Sequence, residues 1–224
     1  MPATKEQTEE HPIIFSGWSI RRIFADEKRQ TRRIVKGYDQ MLELSGGNWP
    51  WAETPDGEGY MLDCPYGATG DMLWVREAFR LPADADGNEP PKEYVERGAN
   101  SVYWEATDDN SFGKPGVGWG RKRPSIFMPR ELCRLRLRVE DVRVERLQEI
   151  SPDDVLAEGW SPSVAFSQEK AIQSKPTVMD ALKRSERERY DCAFAQKWRD
   201  IHGDGAWDEN PSVWVVAFSR IDTE

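Results

Sequence analysis

Alternation of apolar and polar positions predicts the first clear strand of the chain, over residues 70–79. Neighbouring side chains of a strand point to opposite faces. Leu73, Val75 and Glu77 therefore share one face, which is apolar except for the carboxylate. This carboxylate either pairs with an arginine such as Arg33 or Arg130 or accepts a hydrogen bond from the edge of a nucleobase. We favour the pairing with an arginine.

Three further stretches carry strand patterns. Residues 133–147 alternate apolar side chains with arginines, and we favour a solvated arginine face over a nucleic-acid surface. The apolar side chains change from odd-numbered to even-numbered positions near Glu140–Asp141, which predicts a bulge or bend. Residues 211–218 are apolar on both faces, as in a central strand, and residues 101–107 predict a short strand.

Helical periodicity predicts three helices. The first follows Ser19 as its cap, and the second begins with Ser151 as cap and Pro152 at the first position and ends at Gly159. The third runs over residues 185–201. Its apolar stripe is formed by Tyr190, Phe194, Trp198 and Ile201.

Gly, Pro and polar residues separate these elements. We expect residues 1–12 to be a mobile tail, residues 45–59 to be a loop, and residues 13–221 to form a single domain. Residues 81–123 and 161–180 have little hydrophobic periodicity, and we interpret them as insertions. Strands separated by short helices, without a βαβ rhythm, predict an α+β fold built on a small twisted β-barrel, with one longer helix near the C-terminus.

Cysteine and histidine are sparse. Cys64, Cys133 and Cys192 lie far apart, which argues against a disulfide framework or a zinc site, and His11 and His202 are isolated. The sequence therefore predicts no metal and no cofactor.

Net charge limits the partners. The formal charge of −9 argues against wrapping an extended duplex, which requires many cationic contacts to phosphates. A single nucleoside, nucleotide or single strand remains compatible with a small basic cleft.

No apolar run is long enough to span a bilayer and no signal peptide is recognisable, so we expect a cytoplasmic protein without membrane contact. The sequence leaves its oligomeric state open.

The basic cluster at residues 26–36 is the main candidate site. Five of its eleven residues are Lys or Arg, and they surround Thr31, three positions after Lys28. Neighbouring cations and burial both disfavour the charged form of Lys28, as a general base would need. Residues three apart on a strand point to opposite faces, so Lys28 and Thr31 share a pocket only if the chain turns between them. We predict such a turn.

Five segments in order resemble the ASCH family, and most closely its larger members encoded by phages and prophages. The segments are EKRQTRRIVK, CPYGATGDMLWVREAF, RPSIFMPRELCRLRL, VERLQEISPDDVLAEGW and WDENPSVWVVAFSRI. The resemblance implies a PUA-like β-barrel, a fold associated with RNA and modified bases. Some small bacterial members of the family are amidohydrolases of N4-acetylcytidine, and their Lys, Thr and Glu match Lys28, Thr31 and Glu158. This chain is about twice their size.

Glu158 is expected at the C-terminus of the second helix, where the helix dipole disfavours a negative charge and thus suits a proton donor. The alternative is a basic loop that positions phosphates, with Glu158 paired to an arginine. Candidate ligand-binding residues are Trp18, Arg29, Arg32, Arg33, Arg76, Glu77 and Arg130.

Three functions remain open from the sequence. The first is a module that binds a nucleic acid or a modified base. The second is an amidohydrolase acting on N4-acylated cytidine or a related nucleoside. The third is a protein-interaction module in a phage, without a working cleft. The first two functions share a pocket, and turnover distinguishes them. The third function predicts no affinity for nucleosides.

Overall fold

The computed structural model describes residues 8–36, 51–53, 59–83, 102–106, 119–160 and 186–221. Three α-helices lie in these ranges: α1 (Gly17–Phe24), α2 (Pro152–Ala157) and α3 (Glu186–His202). The strands are β1 (Glu10–Ile14), β2 (Gln30–Ile34), β3 (Trp51–Glu53), β4 (Gly59–Met61), β5 (Met72–Arg76), β6 (Phe79–Arg80), β7 (Tyr103–Trp104), β8 (Arg136–Arg146) and β9 (Ser212–Ile221).

Five strands form the main sheet in the order β1-β5-β8-β9-β2, and the pairs β3-β4 and β6-β7 form two small sheets. The first pair, β1 and β5, is parallel, whereas β5–β8 and β2–β9 are antiparallel. This mixed sheet with few helices confirms the predicted α+β class. Within the described residues the strand order ends at β1 and β2.

Contacts divide the chain into two compact units. The first comprises Met1–Asp26, Pro65–Glu140 and Phe218–Glu224, and the second comprises Glu27–Cys64 and Asp141–Ala217. The sequence predicted one domain over 13–221.

In the first unit, the alternation predicted along β5 is confirmed. Leu73, Val75 and Glu77 are all fully buried, and Trp74 and Arg76 are half-buried. The core continues through Phe79, Met128 and Leu132.

The parity change in β8 also has a structural counterpart. Burial alternates from Leu137 to Val139, and then Glu140 and Asp141 are both exposed. The strand is nevertheless continuous over eleven residues. Its arginines differ in exposure, since Arg138 is exposed and Arg136 is half-buried.

The core of the second unit is built on β9 and α3. Val213 to Val216 are buried on both faces of β9, as predicted for a central strand. On α3, Phe194 and Trp198 are buried against the unit, but Ile201 is 61% exposed and the prediction that it belongs to the apolar stripe is wrong. The helix ends one residue later, at His202. The side chain of Tyr190 lies outside the described residues.

Three boundary predictions need correction. Residues 10–12 belong to strand β1 and pair in parallel with β5, so this part of the predicted mobile tail is wrong. The cap of α1 is Ser16, whose Oγ accepts from the backbone N–H of Ser19, so the helix starts three residues before the position predicted. Trp51–Glu53 is strand β3 rather than loop, because it pairs with Gly59–Met61. Predictions for residues 1–7, 161–180 and most of 81–123 lie outside the described residues.

Candidate functional site

The second unit brings the basic cluster and α2 together. Lys28 forms an isolated antiparallel bridge to Glu158, and the backbone N–H of Arg29 donates to the carbonyl of Ala157 over 2.7 Å. The start of α2 is fixed by a capping box between Ser151 and Asp154, and its first residue is proline, as predicted. These local signals place Glu158 as the C-cap residue, next to Lys28.

Lys28 and Glu158 form a buried ion pair. The Lys28 Nζ donates to Glu158 Oε2 over 2.6 Å and to the Glu158 carbonyl over 3.1 Å. The two residues are 4% and 5% exposed. The sequence identified both members, and the structure adds that they are direct partners.

Arg32 lies beside this pair and connects it to two more carboxylates. Its guanidinium is fully buried and lies 3.4 Å from Glu158 Oε1, 3.0 Å from Glu145 Oε2 and 3.2 Å from Asp154 Oδ2. A buried charge of this kind is tolerated only when it is paired and hydrogen-bonded. Arg32 therefore organises the cluster from a buried position.

Gln30 and Arg143 complete the cluster from either side. Gln30 Nε2 donates to Asp154 Oδ1 over 2.9 Å, and Arg143 donates to both Glu145 and Asp154. Three cations, Lys28, Arg32 and Arg143, thus face three carboxylates, Glu145, Asp154 and Glu158. Arg143 Nη1 also lies 3.2 Å from Asp141 Oδ2, so the carboxylates of the cluster outnumber these three cations by one.

Burial is the largest influence on the pKa of Lys28, which it lowers from the ordinary value of 10.5. The carboxylate of Glu158 acts in the opposite direction, and the charges of Arg33 and Arg32 reinforce the lowering. The direction agrees with the sequence-based expectation.

Asp154 is affected differently. Burial alone would raise its pKa, but hydrogen bonds from Gln30 and Ser151 and the charge of Arg32 outweigh burial and lower the pKa to about 2. Asp154 is therefore a charged carboxylate at neutral pH, held by Gln30, Ser151 and Arg32.

Thr31 lies on the other face of β2. Gln30 and Arg32 both contact Asp154, so the residue between them points away from α2. The turn occurs at Ala25 and Asp26, ahead of Lys28, and Gln30–Ile34 is extended. The predicted turn between Lys28 and Thr31 is therefore wrong. Thr31 is buried and lies opposite Val216 of β9, whose pairing keeps this segment straight.

The other candidate binding residues of this unit differ in exposure. Arg29 is exposed and Arg33 is half-buried. Both lie on the strand face of the buried Thr31, opposite Lys28, Gln30 and Arg32.

Glu77 has a structural partner in the first unit. The Arg134 guanidinium donates from Nε to Oε1 over 3.0 Å and from Nη2 to Oε2 over 2.8 Å. The prediction of an arginine partner is confirmed, but Arg33 and Arg130 are not that partner. Arg134 also lies over the rings of Trp104 and Phe24, at 4.7 and 5.0 Å from their centroids.

The remaining candidate residues of the first unit also contact partners within that unit. Arg130 makes a two-pronged pair with Glu10, and Arg76 donates to the carbonyl of Ile126. Trp18 is half-buried in α1, with Arg22 5.6 Å from its ring centroid.

Sequence reasoning missed four members of the cluster, namely Gln30, Arg143, Glu145 and Asp154. The first could have been found from the two-residue spacing of Gln30 and Arg32. The others required the pairing of β2 with β9 and the docking of α2, for which the sequence holds no local signal.

Comparisons with protein-family models, with curated proteins and with solved structures gave no match to this chain. No helix within the described residues combines the length and apolarity needed to cross a bilayer.

Proposed function

We propose that the chain is a PUA-like ASCH-type domain whose second unit binds a modified base or nucleoside of the cytidine class. The five ordered segments of the sequence and the mixed α+β sheet support the domain assignment. The buried pair of Lys28 and Glu158, 2.6 Å apart, supports the ligand class.

This pair offers a donor beside an acceptor. Cytosine presents the complementary groups, an amino donor at N4 next to the acceptor N3, and carboxylates are suitable acceptors for the cytosine amino group. Glu158 would accept from N4 and Lys28 would donate to N3. Uracil presents the reverse order and would leave both side chains without a match, so the same geometry gives selectivity.

Calorimetric titration of the purified chain with cytidine, N4-acetylcytidine and uridine tests this proposal. We expect the cytidine-class ligands to bind at least about tenfold more tightly than uridine, since one matched base contact contributes roughly 1–3 kcal/mol. Equal affinity for cytidine and uridine, or no binding of any of them, would reject it.

The matched variant is the double substitution Lys28→Met and Glu158→Met. Replacing a buried ion pair by apolar side chains often preserves stability, whereas removing one partner leaves a buried charge. We expect this variant to stay folded and to lose the selectivity for cytidine. The control is Asp200→Asn, an exposed carboxylate on α3 that pairs with Gln196, which should bind like the parent chain.

Hydrolysis of an N4-acyl group is the second candidate, and the lowered pKa of Lys28 favours it. A neutral amine can accept a proton from a water that attacks the acyl carbonyl. Lys28 would then return that proton to the departing N4 amine, which gives a carboxylic acid and cytidine. Thr31 faces away from Lys28, so water is the nucleophile in this version.

Release of cytidine from N4-acetylcytidine measures this second activity. We expect the rate to rise with pH through the lowered pKa of Lys28. The folded double variant Lys28→Met and Glu158→Met should lose at least about a hundredfold in rate. Thr31→Val should retain turnover. Binding without release would reject hydrolysis and leave the binding proposal intact.

A further inference from the structure

A second cluster of ligating side chains lies in the first unit, where β1 and β5 begin. The parallel register sets Glu10 beside Met72 and His11 beside Leu73, so Glu9 lies next to Asp71. Glu9 and His11 are two residues apart and share a strand face. One ligand atom from each of Glu9, His11 and Asp71 lies within 4.8 Å of the others.

The distances around His11 fit a shared ion better than hydrogen bonds. Its Nε2 lies 3.6 Å from Asp71 Oδ2 and 3.8 Å from Glu9 Oε2, which is too long for hydrogen bonding. Two ligands about 2.1 Å from a tetrahedral ion lie about 3.4 Å apart. The Nε2 atom is buried and has no hydrogen-bond partner among the described residues.

Asp71 is held in position before any ion binds. It is 1% exposed, its Oδ1 accepts from the backbone N–H of Glu9 over 3.1 Å, and its Oδ2 accepts from that of Ala68 over 2.8 Å. Such support orients a carboxylate ligand towards a metal.

Gly67 leaves space beside the same atoms. A Cβ there would lie 2.7 Å from Asp71 Oδ2 and 2.8 Å from His11 Nε2, so any side chain at this position would press on both ligand atoms. The positive φ of 83° also suits glycine.

From this geometry we propose that Glu9, His11 and Asp71 bind a divalent first-row metal ion of the Zn²⁺ class, with water completing the shell. One imidazole and two carboxylates are a mixed nitrogen and oxygen set that suits such ions. The ion would fasten β1, at the end of the strand order, to the start of β5. This role is independent of the nucleoside site proposed for the second unit.

The purified full-length chain, stripped with chelator and dialysed, is titrated with Zn²⁺ by calorimetry. We expect one ion per chain with a dissociation constant in the micromolar range or below. A hundredfold excess over that constant should raise the melting temperature by roughly 5 °C. Substitution of Co²⁺ should give visible absorption bands of a bound, low-symmetry ion.

The chain has two histidines, which provide a matched pair of variants. We expect His11→Gln to weaken Zn²⁺ binding at least tenfold and to remove the Co²⁺ bands, and His202→Gln to change neither. Glu9→Gln, at an exposed position, should weaken binding without unfolding the chain. The proposal fails if Zn²⁺ binds more weakly than about 100 μM, or if His11→Gln and His202→Gln bind it equally.

Discussion

Individual residues show why an acidic chain concentrates positive charge around residues 26–36. Lys28 and Arg32 are buried against three carboxylates that come from β8 and α2. Each cation lies within 3.4 Å of a carboxylate oxygen, so burial is compatible with the charge. The exposed cations of this segment are Arg29 and Lys36.

The pair of Glu77 and Arg134 gives a prediction at the same scale. Arg134→Ala would leave a fully buried carboxylate without its two-pronged donor, and we expect it to lower the free energy of unfolding by about 3 kcal/mol. Urea denaturation measures this. Arg138→Ala, an exposed arginine on β8, is the control and should change stability by less than about 0.5 kcal/mol. Equal effects of the two variants would contradict the pairing.

At the scale of elements, α2 positions the site although it is only six residues long. A helix this short is unstable by itself, so its ends decide its placement. Ser151 and Asp154 fix its start, and Gly159, with a φ of 94°, lets the chain leave after Glu158.

Ser151→Ala tests this dependence. Loss of the cap should cost about 1 kcal/mol of stability and loosen α2, so affinity for cytidine should fall as well. Ser16→Ala removes the corresponding cap of α1 in the first unit and should cost similar stability with unchanged cytidine affinity. Denaturation together with calorimetric titration separates the two effects. Equal loss of affinity in both variants would show that the cap of α2 has no specific role.

At the scale of the whole molecule, the carboxylate cluster predicts how stability responds to acid. The folded pKa of Asp154, about 2, is below its unfolded value of 3.8, so folding favours its charged form. The stabilisation is present above pH 3.8 and is lost as the pH falls towards 2. Asp154→Asn should therefore be less stable than the parent chain at pH 6, and the difference should shrink below pH 4. Urea denaturation across this range checks the sign, and a difference that stays constant with pH would contradict it.

The sequence by itself determined the elements whose signals are local. The caps and proline of α2, the alternation of β5 and the apolar run of β9 were readable because each depends on a few neighbouring residues and on burial of one or both faces. Lys28 and Glu158 were identified through the resemblance, and their direct pairing required the structure.

Only the tertiary structure decided which distant residues meet. Strand pairing keeps residues 30–34 extended, so Thr31 faces away from the Lys28 pair instead of joining it. The parallel register of β1 and β5 brings Asp71 to His11, sixty positions away. Such encounters depend on contacts between elements far apart in the chain, and no local pattern of hydrophobicity or charge encodes them, because side-chain periodicity specifies a face but not the partner that covers it.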